Sequence, residues 1–372
     1  MTTLEHLIEA LSLAKKAERK NIKGNPFVGA IVVDENNSII GTGYHKIWGE
    51  KHAEVYAIEE ALAHTPDLTK CSLYVTLEPC SHHGKTPPCT DLIIKSGIKK
   101  VFIGSLDPNH KVSGFQLLKQ KGIDIVLIEL KEALQLNKVF FTNQKKQRPF
   151  VRLKIAATIA GKMADYEADS KWITNTVSRA YVHSNIRTEV DAILSTAKTV
   201  IDDQATLNIR IENTPSIELN AVIIDRTGSI LDVQHATLPI FYQRIHTKVF
   251  IVTAPNTIAP TKPLPSNIEI IETPFNSNKE IDINILGKQL LEKGLYSILV
   301  EAGEIFSTFL LTKKWVDELD YFIGSKILLD NQAVAESAIS KIIVLNQELP
   351  LTLLSAIPFD NDIYLHYVIN ES

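Results

Sequence analysis

The chain has 372 residues, more than one hydrophobic core usually serves, so two domains are expected. Apolar residues make up 45% and charged residues 22%, an ordinary globular balance, and a formal charge of −4 gives no whole-molecule field that would draw in nucleic acid. No apolar run approaches a membrane span, and three cysteines in a large chain without a secretion signal favour metal binding or burial over disulfides.

Leu4, Leu7, Ile8 and Leu11 recur at i, i+3, i+4 and i+7, so the start reads as a helix and not as a signal peptide; a cytoplasmic protein is expected. Strands follow over 27–34 and 37–45, joined by a turn at Glu35-Asn36-Asn37. Residues 53–64 read as a helix, 72–79 as a strand and 89–97 as a helix stopped by Gly97. A strand over 100–105, a helix over 113–122 and a strand over 124–129 complete this first alternation, the pattern of helices packed on both faces of a sheet. "NQKKQRP" (143–149) is polar, basic and ends in proline, so it reads as a linker. The alternation then restarts with a strand over 150–158, a helix over 179–190 and a strand over 191–196. Further strands are expected at 221–225, 248–254, 268–273 and 296–302, with a helix over 283–294 before the last. No low-complexity tract or solenoid period interrupts this order. The reading is two α/β domains, 1–145 and 146–372.

The chemistry concentrates in "TLEPCSHHGKTPPCT" (76–90), with "HAE" (52–54) upstream. His52, Cys80 and Cys89 are three nitrogen and sulfur donors that suit zinc, and three ligands leave a position for water. Water there ionises near neutral pH, and Glu54, two residues past a ligand, can carry its proton to a leaving ammonia. The order His-x-Glu, Pro-Cys, Cys is that of zinc deaminases, where the second cysteine follows after three residues. Here it follows after nine, so "SHHGKTPP" must be a loop, and His82, His83 and Lys85 are its candidate substrate contacts. A structural zinc site with His82 or His83 as fourth ligand is the competing reading; it leaves Glu54 without a task. Cys71 lies outside the pattern and reads as a core thiol.

In the second half no G-x-G-x-x-G follows a strand, so an ordinary dinucleotide fingerprint is missing. Gly303, between "SILVEA" and "EIFSTFLL", stands at a strand-to-helix turn where phosphate could approach backbone N–H groups.

"NPFVGA" (25–30), "HAEVYAIEEA" (52–61), the 76–90 stretch and "DPNHKVSG" (107–114) resemble the deaminase motifs of the bifunctional riboflavin-biosynthesis deaminase/reductase family. "RPFVRLKIA" (148–156), "SKWIT" (170–174), "DAILSTAKTVIDDQATLNIR" (191–210) and "LVEAGEIF" (299–306) resemble its reductase motifs, so the likeness covers nearly the whole chain. The resemblance implies a cytidine-deaminase-like domain, a mixed sheet with helices on both faces, followed by a dihydrofolate-reductase-like α/β domain. The implied reactions are zinc-dependent hydrolytic deamination of 2,5-diamino-6-ribosylamino-4(3H)-pyrimidinone 5′-phosphate, then NADPH reduction of the ribosyl chain to ribityl. A homo-oligomer acting on a small molecule, without nucleic acid or membrane, is also implied.

Carried over residue by residue, His52, Cys80 and Cys89 hold zinc, Glu54 shuttles protons, and Asn25, Lys85, Asp107 and Asn109 contact the deaminase substrate. Asn25 before Pro26 and Asp107-Pro108-Asn109 are also ordinary turn sequences, and on chemistry alone the turn reading comes first. In the reductase half, Ala156, Trp172, Thr199, Asp203 and the run Gly303, Glu304, Ile305, Phe306, Ser307, Thr308 and Phe309 match NADPH positions. Ser170, Arg187, Leu207, Arg210 and Glu301 match substrate positions. The chain departs from the family at Ala160 (usually aspartate), Ala168 (usually glycine) and Gln204 (usually proline), and around His52 at Glu50-Lys51 and Tyr56. The rival function is a zinc deaminase of a nucleic-acid base or free nucleoside with a non-catalytic second half. Net acidity and sparse aromatic residues oppose it.

Overall fold

Apolar β-branched runs that alternate with helices do form sheets, and the computed structural model shows two of them; it describes residues 1–109, 112–163, 172–244, 246–257, 264–327 and 348–370. The chain divides into two units, Met1–Arg148 and Pro149–Ser372.

The first unit runs α1 (Thr3–Ala14), α2 (Arg19–Ile22), β1 (Gly29–Val33), β2 (Ile39–Tyr44), α3 (Ala53–His64), β3 (Ser72–Val75) and α4 (Cys89–Ser96). It continues with β4 (Lys100–Ile103), α5 (Gly114–Gln120), β5 (Asp124–Leu127), α6 (Lys131–Leu136) and α7 (Lys138–Lys146). The sheet order is β2-β1-β3-β4-β5, with β1 antiparallel to both neighbours and β3, β4 and β5 parallel. Strand alternation divides the side chains between two cores. Ala30, Val32, Leu73 and Val75 pack under α3 and α4, whereas Ile31, Val33, Tyr74 and Phe102 pack against α1 and α6.

Two local expectations change. In α1 the buried arc is Leu7, Ala10, Leu11 and Ala14, and Leu4 and Ile8 are exposed. The helix rolls this way because Gly29 lets β1 come against the Ala10 carbonyl; a Cβ at Gly29 would lie 1.9 Å from that oxygen. The polar stretch read as a linker instead finishes α7 as far as Lys146, and Gln147 closes it in the left-handed region at φ 53.

The second unit runs β6 (Phe150–Thr158), α8 (Thr176–Tyr181), β7 (Ala192–Thr196), α9 (Ala197–Asp203), β8 (Asn220–Ile224), α10 (Pro239–Tyr242), β9 (Val249–Thr253) and β10 (Ile268–Glu272). It ends with α11 (Ile283–Glu292), β11 (Ser297–Val300), α12 (Glu304–Thr312), β12 (Glu318–Gly324), β13 (Leu351–Phe359) and β14 (Asp362–Ile369). The sheet order is β10-β9-β8-β7-β11-β6-β12-β14-β13, parallel except for β14, which runs antiparallel to β12 and β13. The helix expected over 179–190 is broken: after α8 comes a π-helical turn, Val182–Ile186, and then a 3-10 turn, Arg187–Glu189. Such turns recur at functional sites because they re-aim the side chains that follow.

Candidate active sites

In the first unit, three elements bring the metal-type donors together. His52 is the N-cap of α3, Cys89 is the first residue of α4, and Cys80 follows the chain out of β3. Pro88, at φ −58, sets the entry to α4. His52 Nδ1 lies 3.3 Å from Cys89 Sγ and 3.5 Å from Cys80 Sγ, and the three donor atoms all lie within 4.8 Å of one another. Ligands at zinc bond lengths of about 2.1 and 2.3 Å and tetrahedral angles stand about 3.6 Å apart, so the donor set fits that ion. Among the described residues His82 and His83 do not join the group, which removes the fourth protein ligand a structural site requires. Thr86 Oγ1 lies 3.4 Å from His52 Nε2, on the far side of the ring from the sulfurs.

Beside the donors a cavity of about 310 Å³ opens, and Glu54 lines it while only 3% exposed. Burial raises the Glu54 carboxyl above the usual carboxylate range, as a proton carrier requires. A hydrogen bond from the Cys89 thiol, helped by His52 and by the Cys89 backbone N–H, holds the Cys80 thiol down at about 4. The same hydrogen bond, with burial, holds the Cys89 thiol well up, so Cys80 is the thiolate of the pair.

All four residues expected at the deaminase substrate line this same cavity: Asn25, Lys85, Asp107 and Asn109. Asn25, Asp107 and Asn109 lie on irregular chain between elements, as their turn-type sequences suggested. The Asn109 N–H donates to Asp107 Oδ1 at 2.8 Å. Buried Glu78 fixes this loop by accepting from the backbone N–H groups of Asp107 and Phe115 at 3.0 and 2.8 Å. Burial pushes the Asp107 carboxyl up to about 6. The sequence reading missed His45, whose Nε2 lies 3.3 Å from Asn25 Nδ2, and Trp48, which carries the Lys85 ammonium on its ring. Both also line the cavity, and their signal was an unassigned aromatic stretch, "YHKIW", just before the metal helix.

In the second unit, Arg187 Nε and Nη2 donate to the two oxygens of Glu301 at 2.7 and 2.8 Å, and Arg187 Nη1 donates to the Asn208 carbonyl. Arg210 joins through His183, with its backbone N–H 3.0 Å from Nδ1 and its Nη2 3.2 Å from Nε2. Burial opposes the Glu301 charge, but Arg187, Lys154 and His183 outweigh it and hold the carboxyl at about 2. Lys154 and His183 were not anticipated. Lys154 stands, like Arg152, as a cation within a largely apolar strand, and His183 stands four residues before Arg187.

The remaining expected positions are distributed around this cluster's sheet. Gly303 is the N-cap of α12, and a Cβ there would meet nothing within 4 Å, so the helix end is open to a phosphate. Glu304 to Phe309 form the first turns of that helix, with Ile305 88% exposed. Thr199 lies in the first turn of α9, its N–H 3.4 Å from the capping Thr196 Oγ1, and Asp203 ends that helix. Ala156 lies on β6 beside Phe322 of β12. Trp172 is half exposed under the Arg179 guanidinium, 4.3 Å from the ring centroid. Leu207, at φ 50, packs its side chain into an apolar cluster and leaves only its backbone for a ligand. Gln204 closes α9 at φ 48, a value closed to the proline usual there. Ser170 and Ala168 lie outside the described residues.

Residues 2–105 match the family model of the cytidine and deoxycytidylate deaminase zinc-binding region, and residues 149–365 match that of the RibD C-terminal domain. The chain is 35% identical to the riboflavin biosynthesis protein RibD of Actinobacillus pleuropneumoniae, over 99% of this chain and 96% of that one. It belongs to the RibD family. The RibD protein of Escherichia coli K12 is 34% identical over 87% of this chain and 88% of its own. A crystal structure from Thermotoga maritima, described as a diaminohydroxyphosphoribosylaminopyrimidine deaminase/5-amino-6-(5-phosphoribosylamino)uracil reductase, is 32% identical, covers 99% of both chains and superposes with a TM-score of 0.77. The chain is thus a bifunctional RibD deaminase and reductase of riboflavin biosynthesis, with a cytidine-deaminase-type zinc-binding domain followed by a RibD C-terminal α/β domain. The nucleic-acid-base reading of the deaminase is not favoured.

Proposed function

We propose that Met1–Arg148 deaminates the 2,5-diamino-6-ribosylamino-4(3H)-pyrimidinone 5′-phosphate ring and that Pro149–Ser372 reduces the ribosyl chain of the product to ribityl. One observation carries the first half: the zinc-type donor group His52, Cys80 and Cys89 adjoins buried Glu54, and His52, Cys80 and Glu54 line one cavity. His52, Cys80 and Cys89 would hold zinc, which would supply the Lewis acidity that ionises water near neutral pH. Glu54 takes that water's proton and returns it to the departing amine; its raised affinity for a proton suits both steps. Asn25, Asp107 and Asn109 read the amidine edge of the ring, and Lys85 meets the phosphate.

NADPH supplies the reducing equivalents of the second step. Gly303 and the start of α12 offer its phosphates an open helix N-terminus, with Ala156, Trp172, Thr199 and Asp203 as further contacts. Glu301 holds Arg187 in a fixed orientation at the substrate side, where Arg210 and the Leu207 backbone complete the contacts, with Ser170 assigned there by motif alone. The work of the protein in this half is placement, since the cofactor brings the chemistry. Among the described residues no helix is long and apolar enough to cross a membrane, which accords with a cytoplasmic enzyme, and a homo-oligomer is proposed from family resemblance.

The deciding experiment is Glu54→Gln in the full chain. Ammonia release should fall by about two to four orders of magnitude, the range of a lost general acid–base, while zinc content stays at wild-type level. Unchanged turnover in that variant would remove the mechanism.

A further inference from the structure

Lys85 sits on a loop with no regular structure, yet its ammonium has a defined seat. The turn at Ile47–Glu50 closes with the Glu50 N–H donating to the Ile47 carbonyl at 3.1 Å, and the Trp48 N–H ties it to the Asn21 carbonyl at 2.9 Å. Gly49 adopts φ 85, and a Cβ there would come within 3.4 Å of Lys85 Cδ and 3.9 Å of its Nζ. The lysine stem therefore crosses the bare glycine and delivers Nζ to a point 3.1 Å from the Trp48 ring centroid. Trp48, Gly49 and Lys85 all line the deaminase cavity, and Lys23 approaches the same ring at 5.2 Å.

A carboxylate would fix the lysine equally well but would cancel the charge that an incoming phosphate needs. A ring face attracts the cation through its quadrupole and leaves the charge intact. Among the described residues no carboxylate forms an ion pair with Lys85. The seat thus fixes a flexible cation at the cavity edge without neutralising it, and lowers the ordering cost of binding.

We propose that Trp48, with Gly49 beneath the lysine stem, is a positioning residue that presents Lys85 to the substrate's phosphate and so sets KM in the deaminase half. This rests on the reading of Lys85 as the phosphate contact. The test measures ammonia release from the phosphorylated substrate and from its dephosphorylated riboside. The variants are Trp48→Leu, Trp48→Gln, Trp48→Phe, Lys85→Ala and Trp48→Leu with Lys85→Ala, with zinc content as the check on folding. With the phosphorylated substrate, Trp48→Leu and Trp48→Gln should raise KM about three- to tenfold with kcat within twofold, the scale of one cation–π contact. Phenylalanine should restore it. The leucine change should add nothing in the Lys85→Ala background or with the riboside. If Lys85→Ala leaves KM for the phosphorylated substrate unchanged, the phosphate reading itself falls. If Lys85→Ala raises KM but the Trp48 variants do not, or affect both substrates equally, Trp48 does not act through Lys85 and the proposal is overturned.

Discussion

Asp107 is a carboxyl placed where folding disfavours its charge. Its folded pKa of about 6 exceeds the ordinary 3.8, chiefly through burial. Well below pH 3.8 it is protonated in both folded and unfolded chains and has no effect; as pH rises from 3.8 to about 6 the unfolded chain gives up the proton that the folded chain keeps, so stability falls over that window and levels off above it. A rise of that size corresponds to at most about 3 kcal/mol, and residual solvent screening reduces this. Asp107→Asn should therefore stabilise the protein by about 1–2 kcal/mol at pH 7.5 and by little at pH 4, as read by denaturant melts at the two values. The same change should lower deaminase kcat/KM about ten- to a hundredfold if the carboxylate reads the ring. A variant that gains no stability and keeps full activity would return Asp107 to the role of a turn residue. This pairing of cost and use was not visible in "DPNH", because burial of the aspartate depends on Glu78 holding the loop from another strand end. The convergence of His52, Cys80 and Cys89, by contrast, was legible: their types and order point to a metal-type donor group, and only the length of the intervening loop had to be accommodated.

At the scale of elements, the deaminase site depends on how closely α3 lies on β2. A Cβ at Gly43 would sit 2.2 Å from the Ala53 carbonyl, and one at Gly41 would sit 2.1 Å from that of Ala57. These glycines let the helix backbone rest on the strand, and so place His52 and Glu54 at its first turn. Gly43→Ala should force the helix outward, cost about 1–3 kcal/mol and reduce zinc occupancy, measured by thermal melting and metal analysis of purified protein. Wild-type zinc content would show that the helix start is held by other contacts. The sequence showed both glycines within an expected strand but gave no sign of the helix laid across them. The broken helix at 179–190 was hidden for a related reason. Its periodicity is helical throughout, and the π-helical turn at Val182–Ile186 accompanies the tie of Arg187 to Glu301, just past the end of β11. Glu301→Gln would leave that buried guanidinium without its counter-charge and should destabilise the second unit by about 3–5 kcal/mol. Because the Glu301 pKa is lowered from 4.5 to about 2, the pair's contribution is fully present above pH 4.5, declines as pH falls below that value and is gone once pH has fallen through 2. The loss measured by urea unfolding should accordingly be the same at pH 5 and pH 8; a loss that shrinks between them would assign the stability to another group.

At the scale of the whole molecule, each unit closes its own sheet over its own apolar clusters, and each holds one complete set of candidate groups. The sequence reading placed a division at 145/146, from the linker-like stretch and the restart of the strand–helix alternation after it, whereas the two units meet at 148/149. The last strands of the second unit were not legible in the sequence. β13 leaves Leu351, Leu353 and Leu354 exposed and β14 mixes tyrosine and histidine with aliphatic residues, so neither shows a clean buried face. Metal dependence should follow the same division. The zinc-type donors lie at positions 52, 80 and 89, whereas the Arg187–Glu301 cluster and the open N-terminus of α12 belong to the second unit, where among the described residues no three His, Cys, Asp or Glu side chains converge as metal donors. Removing zinc from the full chain with a chelator should therefore abolish ammonia release while NADPH oxidation with the already deaminated substrate stays within about twofold of its starting rate. Restoring zinc should recover the first activity alone, because ligand loss in one unit leaves the other unit's core untouched. Parallel loss of both activities on chelation, reversed together by zinc, would show that the metal stabilises the reductase half as well, and the assignment of one independent site to each unit would then fail.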